Sequence, residues 1–334
     1  MTATVIAFFN NKGGVGKTSL VYHLAYMFSE SGISTIAADL DPQANLTSMF
    51  LDEIRLEELW VTDESKNTIY GSVIPLKERL GDFKHIQPIS ISENLHIIAG
   101  DLSLTSFEDE LSETWSDCLA GKNAAFRVTS AFSRILQDAA SCSNAILILI
   151  DLGPNLGALN RAALLATDFV VVPLTPDLFS LQGLRNLGPT LRTWRADWKK
   201  RLATRPSEDL DLPEGQMQPI GYIVQQHSTR FDRPVLAYEK WIKRIPKVYS
   251  TAVLDDTLSK PSSIDDDPNC LALLRHYRSL MAMAHESRKP IFDLQAADGA
   301  LGGHIQGVQQ AFKDFKILSR KIAERVNIDV TIFN

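Results

Sequence analysis

The sequence is short of the residues that mark several protein classes. Its 334 residues include three cysteines, Cys118, Cys142 and Cys270, with no Cys-x-x-Cys pair. They neither staple a secreted scaffold nor form a zinc-ligand pair, so reduced thiols are expected. A His-Glu-x-x-His helix and a Gly-x-Ser-x-Gly elbow are also missing, which sets aside zinc-peptidase and α/β-hydrolase chemistry. No apolar run approaches the roughly 20 residues that cross a bilayer; the longest, at 145–150 and 169–173, are strand-sized. The opening Met1-Thr2-Ala3-Thr4 lacks the basic residues of a secretory leader, so a cytoplasmic location is expected. Positive charge is not in excess: the formal net charge is −6, and any nucleic-acid contact has to come from a local patch. Internal repeats and low-complexity segments are absent.

What is present is an ordinary globular composition, 45% apolar and 22% charged, with one conspicuous loop. Val5 to Phe9 is an apolar run of strand type, and Ser19 to Phe28 carries apolar residues at helical spacing. Between them lies Asn10-Asn11-Lys12-Gly13-Gly14-Val15-Gly16-Lys17-Thr18. Strand, glycine-rich turn and helix start form the context of a phosphate loop: backbone N–H groups and the helix dipole face the phosphates, a lysine reaches the β- and γ-phosphates, and a hydroxyl holds Mg²⁺. The expected phosphate-contacting set is Asn11, Lys12, Gly13, Gly14, Val15, Gly16, Lys17, Thr18 and Ser19. The common pattern has glycine five residues before Gly16; here that place is taken by Asn11, and a second lysine, Lys12, precedes the glycine pair.

Two further segments end in carboxylates. Ile33 to Ala38 runs into Asp39-Leu40-Asp41-Pro42-Gln43, and Ala145 to Ile150 runs into Asp151. Continuous apolarity predicts central parallel strands covered on both faces, and ligands of such sheets bind at the strands' carboxyl ends. Asp39 and Asp151 are thus expected near the Mg²⁺ held by Thr18, whereas an Asx turn after Asp41 is the simpler alternative for that segment. Strands are also expected at 93–100, 169–175 and 219–224, and helices at 102–111, 125–140, 271–286 and 308–326, the last packed on the sheet. The fold class predicted is α/β, a doubly wound, mostly parallel sheet flanked by helices.

With these motifs in hand, the chain resembles the ParA/Soj/MinD family of P-loop ATPases with a deviant Walker A loop, most of all its ParA/Soj partition members. The likeness is specific at 10–19, 39–47 and 145–157. It implies a single P-loop domain over 1–334 with additions near 50–65, 195–217 and 255–306. It also implies ATP and Mg²⁺ as cofactors, and an ATP-dependent homodimer in which Lys12 reaches the other subunit's nucleotide. Lys17 would then stabilise the transferred phosphate and Asp41 would orient the attacking water. Relatives seat adenine near the end of the strand at 219–224, which points to Gln225 and Gln226. They carry a non-specific DNA surface that Arg230 or Arg233 would match, and a ParB-like partner stimulates hydrolysis. On the helix opening at Ser180, Arg185, Arg192, Arg195 and Lys199 fall within an arc of about 80°, which suits either a DNA-facing stripe or a solvated face. Asp255 and Asp256 replace basic residues of the family. The loop begins at residue 10, so no operator-binding domain is expected ahead of it. A membrane role for the 308–326 helix is the least expected reading, and an ATP-gated adaptor without DNA binding is the alternative function.

Overall fold

A computed structural model describes residues 2–62, 66–206, 209–226, 235–258, 263–277 and 279–329. The elements run β1 (Thr4–Phe8), α1 (Lys17–Glu30), β2 (Thr35–Asp39), α2 (Asn45–Phe50), α3 (Glu53–Glu57), α4 (Ile69–Lys77), β3 (Ile89–Ser92), β4 (Leu95–Ile98), α5 (Glu108–Asp117), α6 (Asn123–Thr129), α7 (Ala131–Ser143), β5 (Leu147–Asp151), α8 (Ala158–Leu165), β6 (Phe169–Leu174), α9 (Leu178–Leu202), β7 (Gln218–Gln226), α10 (Val235–Ile242), α11 (Ile245–Val248), β8 (Cys270–Arg275), α12 (Ser279–Ser287) and α13 (Gly303–Arg325). Short 3₁₀ turns precede α5 and α13, and a turn of π-helix follows both α3 and α11.

The eight strands form one sheet in the order β3-β4-β2-β5-β1-β6-β7-β8. Every pairing is parallel except β3 with β4. The apolar runs of β1, β5 and β6 occupy its centre because both faces are covered, as their unbroken hydrophobicity requires. Alternate residues serve the two layers. Val5, Ala7, Ile148, Ile150 and Val172 pack with the helices from α4 to α9, whereas Ile6, Phe8, Leu147, Leu149 and Val171 pack with α1 and α13. The predicted doubly wound sheet is therefore the observed one, and the terminal helix lies on it: Phe315, Leu318, Ile322 and Val326 join the α1 side of the core.

Two expectations are corrected. The segment 271–286 is not one helix. Cys270–Arg275 pairs with β7 as the edge strand β8, and the helix begins only at Ser279. Its Leu and Ala residues favour a helix locally, but the open edge of β7 supplies backbone partners that override so weak a preference. The 102–111 helix is likewise composite, a 3₁₀ stretch over Leu102–Phe107 leading into α5. The long polar region after α2 contains α3 and α4, which hydrophobic spacing did not reveal.

Helix α1 carries a buried histidine. His23 donates from Nδ1 to the Ser19 carbonyl at 2.7 Å and stacks on Phe315, 4.9 Å between ring centroids. Burial lowers its pKa to about 4. The unfolded chain takes up this proton first, so the stability that the neutral ring contributes is lost as pH falls from about 6.5 to about 4, on the order of 3 kcal/mol in all. Urea titrations should show the wild type losing stability relative to His23→Phe over that interval, with no such divergence above pH 7.

Candidate nucleotide site

The phosphate loop sits at the carboxyl end of β1, between the ends of β5 and β6. Asn10, almost fully buried, anchors it: its amide donates to the Pro173 carbonyl at 2.7 Å, and its Oδ1 accepts from the Lys12 backbone at 3.0 Å. Gly16 closes the turn with φ +75°, a left-handed conformation that side chains strain to adopt. A Cβ there would lie 2.2 Å from the Gln225 amide nitrogen, which donates to the Gly16 carbonyl at 3.2 Å. The loop thus enters α1 directly, leaving the first amides of that helix facing the phosphate position.

The two lysines take different directions. Lys17 is buried and folds into its own loop, its Nζ 3.3 Å from the Asn10 carbonyl and 3.5 Å from that of Lys12. Burial lowers its pKa, against the pull of Asp151 and Asp41. Lys12 instead leaves the loop and binds the turn between β6 and α9, where its Nζ donates to Thr175 Oγ1 at 2.7 Å and to Asp177. Asp177 Oδ1 also caps α9 by accepting from the Ser180 amide at 2.9 Å. Burial raises the Asp177 pKa, but the bonds from Lys12, Thr175 and Ser180 outweigh it and hold the carboxyl below its usual range. Beside this ion pair, Leu178 and Phe179 are exposed at 50% and 73%.

Parallel pairing of β2 with β5 places Asp39 opposite Asp151. Both are fully buried. Among the described residues no hydrogen bond of ordinary geometry reaches either oxygen of Asp151, and the Thr18 hydroxyl bears on it only weakly. Burial and the neighbouring Asp39 push its pKa well up, while the Thr18 hydroxyl pulls down, Asp41 adds to the rise and Lys17 opposes it. Asp39 is raised to about 7 by burial, with the two bonds from Thr47 opposing. Its Oδ2 accepts from Thr47 N and Oγ1 at 2.8 and 2.7 Å, and its Oδ1 from Asp41 N at 3.3 Å. A hydroxyl and two carboxylates form an oxygen-only donor set suited to a hard cation, and the orphaned oxygens of Asp151 are where one fits. Asp41 accepts from the Gln43 amide at 3.0 Å, and a Cβ on Gly153 would stand 3.2 Å from its Oδ1. Glycine at 153 leaves that room. Asn160, buried in α8, ties the same loop down through the Gly153 and Asn155 carbonyls.

Sequence reasoning missed the far wall of the site. A cleft of about 190 Å³ opens beside Gly14, Gly16 and Ser19, closed by Gln225, Leu274, Arg275, Tyr277 and Met281. It adjoins the phosphate loop on the α1 side. Gln225 lines this cleft. Gln226 ends β7, and its side chain lies outside the described residues. The β8–α12 residues went unnoticed because that stretch reads as helix. A larger cleft of about 530 Å³, lined by Arg79, Glu110, Lys122 and Arg127, lies away from the loop, and its charges pair with one another or with Asp117 and Asp82.

The basic stripe on α9 needs correction. Arg192 donates to the Ala252 and Val253 carbonyls at 2.9 and 3.1 Å and lies 3.8 Å from Asp255. Arg195 donates to the Gln216 and Met217 carbonyls at 2.7 and 2.9 Å. Both long side chains fasten neighbouring loops to the helix, so they are no free row of charge; Arg185 and Lys199 remain exposed. Arg230 and Arg233 lie outside the described residues.

Fold and site together define a P-loop nucleotide-binding protein of the doubly wound class. The family described as AAA domain matches residues 3–204, and the chain belongs to it, within the ParA/MinD family of ATPases. A protein named as a replication protein A in Rhizobium rhizogenes is 28% identical over 291 residues, covering 84% of this chain and 66% of that protein. The chromosome partitioning protein ParA of Myxococcus xanthus is 29% identical over 190 residues, 56% of this chain and 57% of its own. The chain thus spans about two thirds or less of these relatives' lengths. A solved protein of Corynebacterium diphtheriae shares the fold with a TM-score of 0.69 at 21% identity, over 97% of this chain and 98% of that one.

Gly16→Ala combines a left-handed backbone with a collision against Gln225. Titration with a fluorescent ATP analogue should show at least about tenfold weaker binding, the cost of a side chain in that conformation.

Proposed function

We propose that this chain is an ATPase that pairs face to face with a second copy when ATP is bound, hydrolyses slowly until a partner stimulates it, and uses the cycle to partition or position DNA or another cargo in the cytoplasm. The position of Lys12 carries the reading. One loop holds two cations, and only Lys17 is folded into it; Lys12 stands at its outer edge beside exposed Leu178 and Phe179. A cation beside an apolar surface suits insertion into a mate's nucleotide site, where it would act as a charge supplied in trans. Lys17 would neutralise the β- and γ-phosphate oxygens. Thr18 and Asp151, with Asp39, would hold Mg²⁺, which when bound neutralises phosphate charge. Asp41 would orient the attacking water, and the cleft at Gln225 and Tyr277 would take the base. Arg230, Arg233, Arg185 and Lys199 are the cations left for a non-specific DNA surface.

The engagement of Arg192 and Arg195 with carbonyls supports a second reading, an ATP-gated adaptor that does not bind DNA.

Lys12→Gln should keep nucleotide binding within about threefold while hydrolysis and ATP-dependent dimerisation disappear; normal turnover in that variant would refute the role in trans. The size of the loss expected is that of a missing trans cation, on the order of 10³-fold in rate. For the cargo, retention on random-sequence DNA in ATP, fading as salt rises from 50 to about 200 mM, favours the partition reading. No retention at any salt favours the adaptor.

A further inference from the structure

The stretch from Asp52 to Val61 is largely exposed, with Ile54 at 71% and Val61 at 76%. One of its side chains, the partly exposed Trp60, nevertheless reaches the body of the protein through its indole. Trp60 donates its indole N–H to the Gly100 carbonyl at 3.0 Å, in the turn that follows β4. The Gly100 amide in turn donates to Thr47 Oγ1 at 2.8 Å. Thr47 then donates from both its hydroxyl and its backbone amide to Asp39 Oδ2. Two more bonds pin the same turn from the same region: Ile69 N–H to the Ala99 carbonyl at 2.9 Å, and the Thr68 hydroxyl to Asp101 Oδ2 at 3.0 Å. There is no slack between turn and carboxylate. A Cβ on Gly100 would stand 2.9 Å from Asp39 Cγ.

We propose that Thr47 and Trp60 are positioning residues for Asp39. The proposal rests on reading Asp39 as one of the Mg²⁺ carboxylates. A carboxylate that orders a metal's water shell must keep its plane and its distance, and partners behind it supply that constraint. The Thr47 hydroxyl is committed on both sides, giving its proton to Asp39 and accepting one from Gly100. It therefore has one orientation and imposes one on Asp39. Trp60 does the same for the turn: its indole holds the Gly100 carbonyl, so the amide that faces Thr47 stays in place. The chain Trp60–Gly100–Thr47–Asp39 links an exposed surface segment to the metal side of the nucleotide site through three hydrogen bonds. The shared chemistry is donor geometry, so an isostere without the donor breaks the link and leaves the packing.

The test uses the full chain and three variants: Thr47→Val removes the hydroxyl, Thr47→Ser keeps it, and Trp60→Phe keeps a ring without its N–H. Binding of a fluorescent ATP analogue is measured in EDTA and across a Mg²⁺ titration, and tryptophan emission is followed as Mg²⁺ is added to the ATP-loaded protein. All proteins should bind nucleotide alike in EDTA. Thr47→Val should need about 10–100-fold more Mg²⁺ for its half-maximal effect, with Thr47→Ser restored to within about threefold of wild type. The Mg²⁺-dependent change in emission should be present in the wild type and in Thr47→Ser, and should move to higher Mg²⁺ in Thr47→Val, which keeps every tryptophan. Trp60→Phe should need more Mg²⁺ than the wild type in the binding titration, as Thr47→Val does. Equal Mg²⁺ dependence of Thr47→Val and wild type overturns the proposal, as does weakened binding already in EDTA, and equal Mg²⁺ dependence of Trp60→Phe and wild type overturns the role of Trp60. A wild type that binds nucleotide but ignores Mg²⁺ overturns the underlying assignment of Asp39. Normal Mg²⁺ dependence in the wild type, matched by Thr47→Val and Trp60→Phe, overturns the positioning roles alone.

Discussion

The site depends on one electrostatic constraint: three carboxylates gathered where water cannot reach them. Asp39 and Asp151 lie on adjacent strands with no exposure, and Asp41 is buried two residues on. Burial and mutual repulsion both raise the proton affinity of Asp39 and Asp151. Lys17 answers part of that charge from the neighbouring loop and is itself desolvated by the arrangement. Thr47 satisfies Asp39, while among the described residues no hydrogen bond of ordinary geometry reaches the oxygens of Asp151. Such an imbalance is relieved either by protonation, which the raised proton affinities favour, or by a cation.

The rest of the molecule keeps that cluster in register with the phosphate position. Parallel pairing of β1, β2 and β5 delivers the loop and the acids to one edge of the sheet. Asn10 fixes the loop to β6, Gly16 lets it enter α1 without a side chain in the way, and Asn160 ties down the turn after Asp151. Lys12 is the exception. It is held by Asp177 at the cap of α9, on the outer side of the loop. Lys12 is half-buried and paired there, beside the uncovered side chains of Leu178 and Phe179.

Much of this was legible in the residues. Strand, Gly-rich turn and helix are contiguous in the chain, so the loop could be recognised whole, as could the apolar runs ending in Asp39 and Asp151. The edge strand β8 could not, because Cys270 to Arg275 carries no β-branched residue and pairs only through the β7 backbone. With it went one wall of the cleft beside the phosphate loop. The arginines of α9 were misjudged for a related reason: spacing puts them on one helix face, but says nothing of the carbonyls that approach that face from residues 216–217 and 252–253.

By itself the sequence determined the chemistry of the site, since a phosphate loop and strand-end carboxylates are local patterns whose geometry follows from a few consecutive residues. It determined the α/β class as well, because buried parallel strands must be apolar on both faces. Only the tertiary structure decided which groups those residues answer to: Lys12 to Asp177, Asp39 to Thr47, Trp60 to Gly100. Such pairings join segments from 8 to 165 residues apart, and their partners are chosen by where the sheet brings the chain back, which no local pattern encodes.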